Sequence, residues 1–197
     1  YAKDWKTERF GVDASYPPFE SKGADGKVVG FDVDLGNEIC RRMNAKCVWI
    51  ENDFDGMIPA LKARKFDGVL SSMSMTPARE EQIAFSAKLF NTPTRLVTKK
   101  GTGLQPTAES LKGKSVGVEQ GTIQETYAKT YWASKGVNVV PYQNQDQVYA
   151  DLISGRLDGA LQDAVQAEIG FLKTPRGANF DFAGKDIDDP KTLGNGA

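Results

Sequence analysis

Leu61-Lys-Ala-Arg-Lys-Phe-Asp-Gly-Val-Leu-Ser-Ser72 and Leu152-Ile-Ser-Gly-Arg-Leu-Asp-Gly-Ala-Leu-Gln-Asp163 align without a gap. Each copy reads as the end of an amphipathic helix, an Asp-Gly turn and a short buried strand. The copies differ at the strand's end. The first runs on into Ser-Ser-Met-Ser-Met-Thr-Pro-Ala-Arg79, hydroxyls followed by a guanidinium, whereas the second stops on a carboxylate, Asp163. Donors for an anion in one copy and an acceptor for a cation in the other imply two lobes that close on a zwitterion.

Working outward from the repeat, the same order of elements appears twice. In the first half, Arg9–Asp13 is a strand, a helix starts at Gly30 and Asp32, and Lys46–Ile50 is the next strand. A helix carrying Met57, Ile58 and Leu61 follows, and Asp67–Ser71 is the third strand. Asp32 and Asp34 suit the first helix's N-terminal dipole, and Leu35, Ile39 and Met43 recur at helical spacing. In the second half, Lys114–Glu119, a helix from Ile123, Val137–Tyr142, a helix over 147–156 and Asp158–Gln162 repeat that order, with a further helix from Ala164. Such alternation predicts an α/β fold of two doubly wound lobes, parallel sheets covered by helices. Thr92–Thr98 reads as an extended crossover between them. The predicted division is residues 1–91 for lobe one and 92–193 for lobe two, with about residues 194–197 turning back to lobe one. From Phe180 onward no capping helix is predicted.

With 197 residues there is enough chain for one large or two small cores. The formal net charge of −1, with both signs interspersed, gives no footing for nucleic acid or a membrane surface. No apolar run approaches a membrane span, and no signal peptide opens the chain, so an exported protein is read here in mature or trimmed form. Histidine is absent, which removes the commonest general base, metal ligand and nucleophile activator. No cofactor or metal is expected. Cys40 and Cys47 flank a helix end that turns into a strand, which can bring them within bridging distance. A disulfide there implies an oxidising compartment such as the periplasm, two separate thiols being the alternative.

Ligands of parallel α/β sheets sit outside the carboxyl ends of the strands. Those ends present Asp13 and Tyr16, Phe54, Ser71 with Ser72, Glu119, and Asp163. Arg79 follows Ser72 and Ser74 at a helix start, and its planar fork matches a carboxylate with two hydrogen bonds; a surface ion pair with Glu80 or Glu81 is the plainer use. Gln120-Gly-Thr122-Ile123 opens a helix and offers backbone N–H groups to an anion, or merely a Thr122 cap. Asp163 could accept from an ammonium group or cap the next helix. Asp13 and Glu119 occupy equivalent places and favour a ligand with a second positive charge. Tyr16 and Phe54 could flank an aliphatic or guanidinium side chain, or simply pack.

Taken together, Tyr16-Pro-Pro-Phe-Glu, Gly30-Phe-Asp-Val-Asp-Leu, Cys40 with Cys47, Ile58-Pro-Ala-Leu, Ser71-Ser-Met-Ser-Met-Thr, Arg79, Ala84-Phe-Ser, Gly117-Val-Glu-Gln-Gly-Thr and Gly155-Arg-Leu-Asp-Gly resemble the periplasmic solute-binding proteins of polar amino-acid ABC transporters, nearest the lysine/arginine/ornithine-binding and histidine-binding branch. The resemblance implies the type II periplasmic binding protein fold, with two hinge strands and a closing motion. It also implies capture of a basic L-amino acid by a periplasmic monomer that does not span the membrane and passes its ligand to an inner-membrane permease.

By the same resemblance, Arg79 pairs with the ligand α-carboxylate beside Ser74, aided by the N–H groups of Thr122 and Ile123. Asp163, Ser71 and Ser72 hold the α-ammonium, Asp13 takes the distal cation, and Tyr16 and Phe54 stack on the stem. Two positions depart from the pattern: Glu119 stands where close members carry leucine, and Ile123 where threonine is usual. The first favours arginine or a guanidino derivative. The family continues past Ala197 with a returning strand and helices for lobe one. A sensor domain, or a periplasmic dehydratase on the same fold, remains the alternative reading.

Overall fold

A computed structural model describes residues 6–197. Its chain divides into two compact units, Tyr1–Met73 and Ser74–Ala197.

The first unit runs β1 (Thr7–Val12), β2 (Ser15–Tyr16), β3 (Glu20–Lys22), β4 (Val28–Val29), α1 (Phe31–Arg42), β5 (Lys46–Glu51), α2 (Met57–Lys62) and β6 (Gly68–Val69). Strands β5, β1 and β6 form a parallel sheet in that order, and β2, β3 and β4 a small antiparallel one. Helix α1 forms where predicted, but Ile39 and Met43 lie on its exposed flank. Its packed row is Asp32, Val33, Gly36 and Cys40. The reason is steric: a Cβ on Gly36 would come within 2.5 Å of the Trp49 ring, so glycine lets the helix settle on β5. Cys40 and Cys47 are bridged, with Cα atoms 5.7 Å apart, tying the end of α1 to the start of β5.

The second unit runs α3 (Pro77–Glu80), β7 (Thr94–Lys99), α4 (Ala108–Leu111), β8 (Ser115–Glu119), α5 (Ile123–Tyr131), β9 (Asn138–Tyr142), α6 (Gln145–Ile153), β10 (Gly159–Asp163), α7 (Ala164–Ala167), β11 (Phe180–Ile187) and α8 (Pro190–Leu193). Its five strands lie in the order β11-β7-β10-β8-β9. Strands β8, β9 and β10 are parallel; β7 and β11 are antiparallel to their neighbours, so this sheet is mixed. Alternate side chains feed two cores. Leu96, Val116, Val118 and Leu161 pack with Trp132 after α5, while Val97 and Ala160 pack with Val148, Tyr149 and Leu152 of α6. Apolar layers on both faces make the sheet doubly wound.

Two features correct the sequence reading of the C-terminal stretch. Phe180–Ile187, to which no element was assigned, is a strand, and Pro190–Leu193 adds one helical turn where no helix was expected. The strand's signal is short: Phe180 and Ala183 are buried, with exposed Asp181 between them. Residues 195–197 then pair by backbone with Met75, Leu89 and Phe90.

The repeat has a structural meaning. Asp67 N–H donates to Arg9 O at 2.8 Å while Asp67 Oδ2 accepts from Arg9 N–H at 2.9 Å. In the second unit Asp158 N–H donates to Ser115 O at 2.8 Å and Asp158 Oδ2 accepts from Ser115 N–H at 2.8 Å. The predicted Asp-Gly turn is therefore a clasp on the neighbouring strand. The residue before each aspartate lies over a glycine of that strand. A Cβ on Gly11 would meet the Phe66 ring at 2.6 Å, and one on Gly117 would meet Leu157 at 2.4 Å.

Gly30 makes the turn into α1 with φ of 129°, and a Cβ there would lie 2.4 Å from Phe19 O. Gly30→Ala is expected to cost about 3 kcal/mol or more from strain plus backbone clash. Gly26→Ala, also at positive φ but with nothing within 4 Å, is expected to cost about 1–2 kcal/mol. Urea denaturation of the two variants checks this, and equal losses would refute the role given to Gly30.

Candidate functional site

The parallel strands of the first unit all end toward one edge. Beyond β1 lies Asp13, beyond β5 Phe54, and beyond β6 Ser71 and Ser72, as the sequence reading placed them. Asp13 is buried; its N–H donates to Ser71 Oγ at 2.9 Å, and its Oδ1 accepts from Ser15 Oγ at 2.9 Å. Tyr16, in β2, stacks on Phe19 with ring centres 6.3 Å apart. Phe54 is half-buried at a 3₁₀ turn.

Behind the serines stand two acids that the sequence reading did not assign to the site. Glu20 and Asp32 are each 1% exposed. Ser71 Oγ–H donates to Glu20 Oε1 at 3.1 Å. Ser72 Oγ–H is shared between Asp32 Oδ2 at 2.9 Å and Glu20 Oε2 at 3.3 Å, and Ser72 N–H donates to Asp32 Oδ2 at 2.7 Å. These bonds hold Ser72 at φ 52°, a left-handed conformation. Helical phasing offered a signal, since Asp32, Gly36 and Cys40 share the buried face at i, i+4, i+8. Burial pushes the Glu20 carboxyl well above the ordinary carboxylate range, and the neighbouring Asp32 charge adds to it. Burial also raises Asp32, against the lowering effect of its bonds from Glu20 and Ser72.

In the second unit Arg79 sits in α3, whose N-cap Thr76 accepts from Arg79 N–H at 3.3 Å. Arg79 Nη1 donates to Ser74 O at 2.8 Å and Nη2 to Gly121 O at 2.9 Å. Carbonyls on two segments thus hold the guanidinium plane, while the fork has five donors to offer in all. Burial lowers its pKa to about 10, so it stays charged at neutral pH. Met75 N–H donates to Gly196 O at 2.8 Å, which steadies the segment that carries the Ser74 carbonyl.

Glu119 closes β8 and is 2% exposed. Thr122 caps α5: its Oγ1 accepts from Glu125 N–H at 3.2 Å and donates to Glu119 O at 2.7 Å. Its own N–H makes only a long bond to Glu119 O, at 3.4 Å. Ile123 is the first residue of α5, where an N–H has no acceptor within the helix. Asp163 closes β10 and caps α7, with Oδ1 accepting from Gln166 N–H at 2.8 Å and Oδ2 accepting from Thr92 Oγ1. Burial raises its pKa, partly offset by those bonds. The plain capping roles of Thr122 and Asp163 are real, and each leaves its group at a strand's carboxyl end. A cavity of about 460 Å³ lined by Lys99, Lys114, Leu157 and Arg176 lies instead by the opposite ends of β8 and β10. Among the described residues no cluster of acids and cysteines could hold a metal, and no helix is long and apolar enough to cross a membrane.

The family model of the bacterial extracellular solute-binding proteins, family 3, matches residues 9–174. The chain belongs to that family. As a family member it carries the type II periplasmic binding protein fold, whose two lobes were expected from the repeat. It is 56% identical over 196 residues to the lysine/arginine/ornithine-binding periplasmic protein of Escherichia coli (strain K12), covering 100% of this chain and 75% of that one. It is 50% identical over 188 residues to the histidine-binding periplasmic protein of the same strain, covering 95% of this chain and 72% of that one. A solved periplasmic binding protein of Salmonella typhimurium, described for high arginine specificity, superposes with a TM-score of 0.89 at 34% identity, over 97% of this chain and 84% of that one.

A group whose folded pKa is raised adds stability below its unfolded pKa and loses that stability as pH climbs through the folded value. For Glu20 the unfolded reference is 4.5, and the loss comes above it. Glu20→Gln cannot ionise, so its stability relative to the parent is expected to improve as pH rises from 4.5 to neutrality and beyond. Urea denaturation of both proteins across that range checks the sign; a pH-independent difference would refute it.

Proposed function

We propose that this chain is an extracytoplasmic solute-binding protein that captures a basic L-amino acid. Among arginine, lysine, ornithine and histidine, an arginine-like ligand is favoured. It acts in the periplasm as a monomer without chemical turnover and hands the ligand to an inner-membrane ABC permease. Segment 74–91 and residues 194–197 travel with the first lobe, so that the boundary falls at 91–92 and again near 193.

One observation carries the reading: the strand ends bear three buried acids, Asp13, Glu119 and Asp163, against one guanidinium, Arg79. A neutral zwitterion needs one of each. A zwitterion leaves two of the acids over, and an amino acid with a cationic side chain offsets one of them and gives the pair Asp13 and Glu119 a shared partner, which a neutral side chain cannot do. Arg79 takes the α-carboxylate in a two-point grip beside Ser74, with the N–H groups at Thr122 and Ile123 completing it. Asp163, Ser71 and Ser72 receive the α-ammonium. Asp13 and Glu119 take the distal cation, and Tyr16 and Phe54 flank the stem. The relatives named for basic amino acids support the ligand class.

Calorimetry with arginine, lysine, ornithine and histidine tests the proposal, and at least one is expected to bind with a Kd of about 1 μM or tighter. Heat from none of the four would end the basic-ligand reading. Glu119→Leu is expected to lower the preference for arginine over glutamine by about tenfold or more. Arg79→Lys keeps the charge but loses the planar fork, and is expected to weaken every amino-acid ligand by about tenfold or more. An Arg79→Lys protein binding as tightly as the parent would remove Arg79 from the carboxylate role.

A further inference from the structure

We propose that Glu20 and Asp32 are positioning residues that commit the hydroxyls of Ser71 and Ser72 to accept from an ammonium group. The inference rests on the reading above, in which these serines receive the ligand α-ammonium. A serine hydroxyl holds one proton and two lone pairs, so it can face a ligand as donor or acceptor. Here both protons are already placed. Ser71 gives its proton to Glu20 Oε1 at 3.1 Å, and Ser72 gives its proton to the Glu20–Asp32 pair at 2.9 and 3.3 Å. One lone pair of Ser71 takes the Asp13 N–H at 2.9 Å. What remains on each oxygen is lone pair, which suits an ammonium and repels a carbonyl or carboxylate.

The two buried carboxyls meet on one hydroxyl, Ser72 Oγ lying 2.9 Å from Asp32 Oδ2 and 3.3 Å from Glu20 Oε2, and two acids so close and so buried favour holding one proton between them. Geometry assigns that proton to Glu20. Asp32 Oδ2 receives both the N–H and the Oγ–H of Ser72, and Asp32 is the second residue of the twelve-residue α1, whose N-terminus favours negative charge. Asp32 Oδ1 is buried with no other hydrogen-bond donor, so the Glu20 proton is the one left to this side chain. The other titratable group that influences the pair is Asp13. One negative charge therefore sits a single hydroxyl behind the ammonium position without touching the ligand.

The test compares L-arginine with the same molecule lacking its α-amino group, by calorimetry on the parent and on variants. The parent is expected to prefer arginine; no preference would overturn the serine–ammonium reading and this inference with it. With that preference established, Glu20→Gln still accepts from Ser71 and donates to Asp32, and is expected to stay within about threefold of the parent for both ligands. Asp32→Asn is expected to lose about tenfold or more for arginine while its affinity for the deaminated ligand stays within about threefold. Equal weakening of both ligands, or an Asp32→Asn protein like the parent, would overturn the inference alone. Should Asp32→Asn fail to fold, Glu20→Met decides. It leaves Ser71 without an acceptor and is expected to lower the arginine-to-deaminated ratio, whereas Glu20→Gln keeps it; identical ratios in the two variants overturn the inference.

Discussion

In each unit an aspartate grips the opening of the neighbouring strand through both its own N–H and its side chain. Asp67 does this to Arg9, and Asp158 to Ser115. A carboxylate accepting from a backbone N–H contributes about 1.5–3 kcal/mol, but the larger effect is on register. With Phe10 set opposite Gly68 and Val116 opposite Gly159, the strands finish level with one another. Just past the strand ends Asp13 is then level with Ser71 in one unit, and in the other Glu119 is level with Gln162, one residue before Asp163. A slip of one residue would turn every one of these side chains to the other face of its sheet.

Packing explains why the clasp is dependable. Phe66 and Leu157, each just before its aspartate, cover Gly11 and Gly117 so closely that no side chain fits beneath them. The glycines are therefore part of the register mechanism rather than points of freedom. On Asp67 the grip is reinforced from outside, because the Arg9 guanidinium pairs with both carboxylate oxygens at 3.1 and 3.0 Å.

Most of this was legible in the sequence, for a physical reason: strands and helices alternate strongly, and the repeat marks the strands that matter. The strand-end residues followed from the rule about carboxyl edges and came out where expected. What stayed hidden depended on rotation and on long-range partners. The row Leu35, Ile39, Met43 was apolar and helical in spacing, yet Gly36 decided which side of α1 could approach Trp49. Asp32 looked like a helix-dipole acid because Ser72, its partner, lies 40 residues away in the chain. Strand β11 was missed because only Phe180–Phe182 alternates apolar and polar residues, and its pairing with β7 spans more than half of the unit's sequence.

The clasps and the residues proposed to meet the ligand lie at opposite ends of the same strands. This separation bears on how such a scaffold diversifies. Residues at the carboxyl ends, Glu119 among them, can drift or be selected without disturbing the registry set at the other end. Asp67, Asp158 and the glycines under Phe66 and Leu157 are under a constraint that no change of ligand would relax. A repeated unit built this way can keep one end of its strands as architecture and leave the other to chemistry, so one frame can hold opposite charges in its two copies.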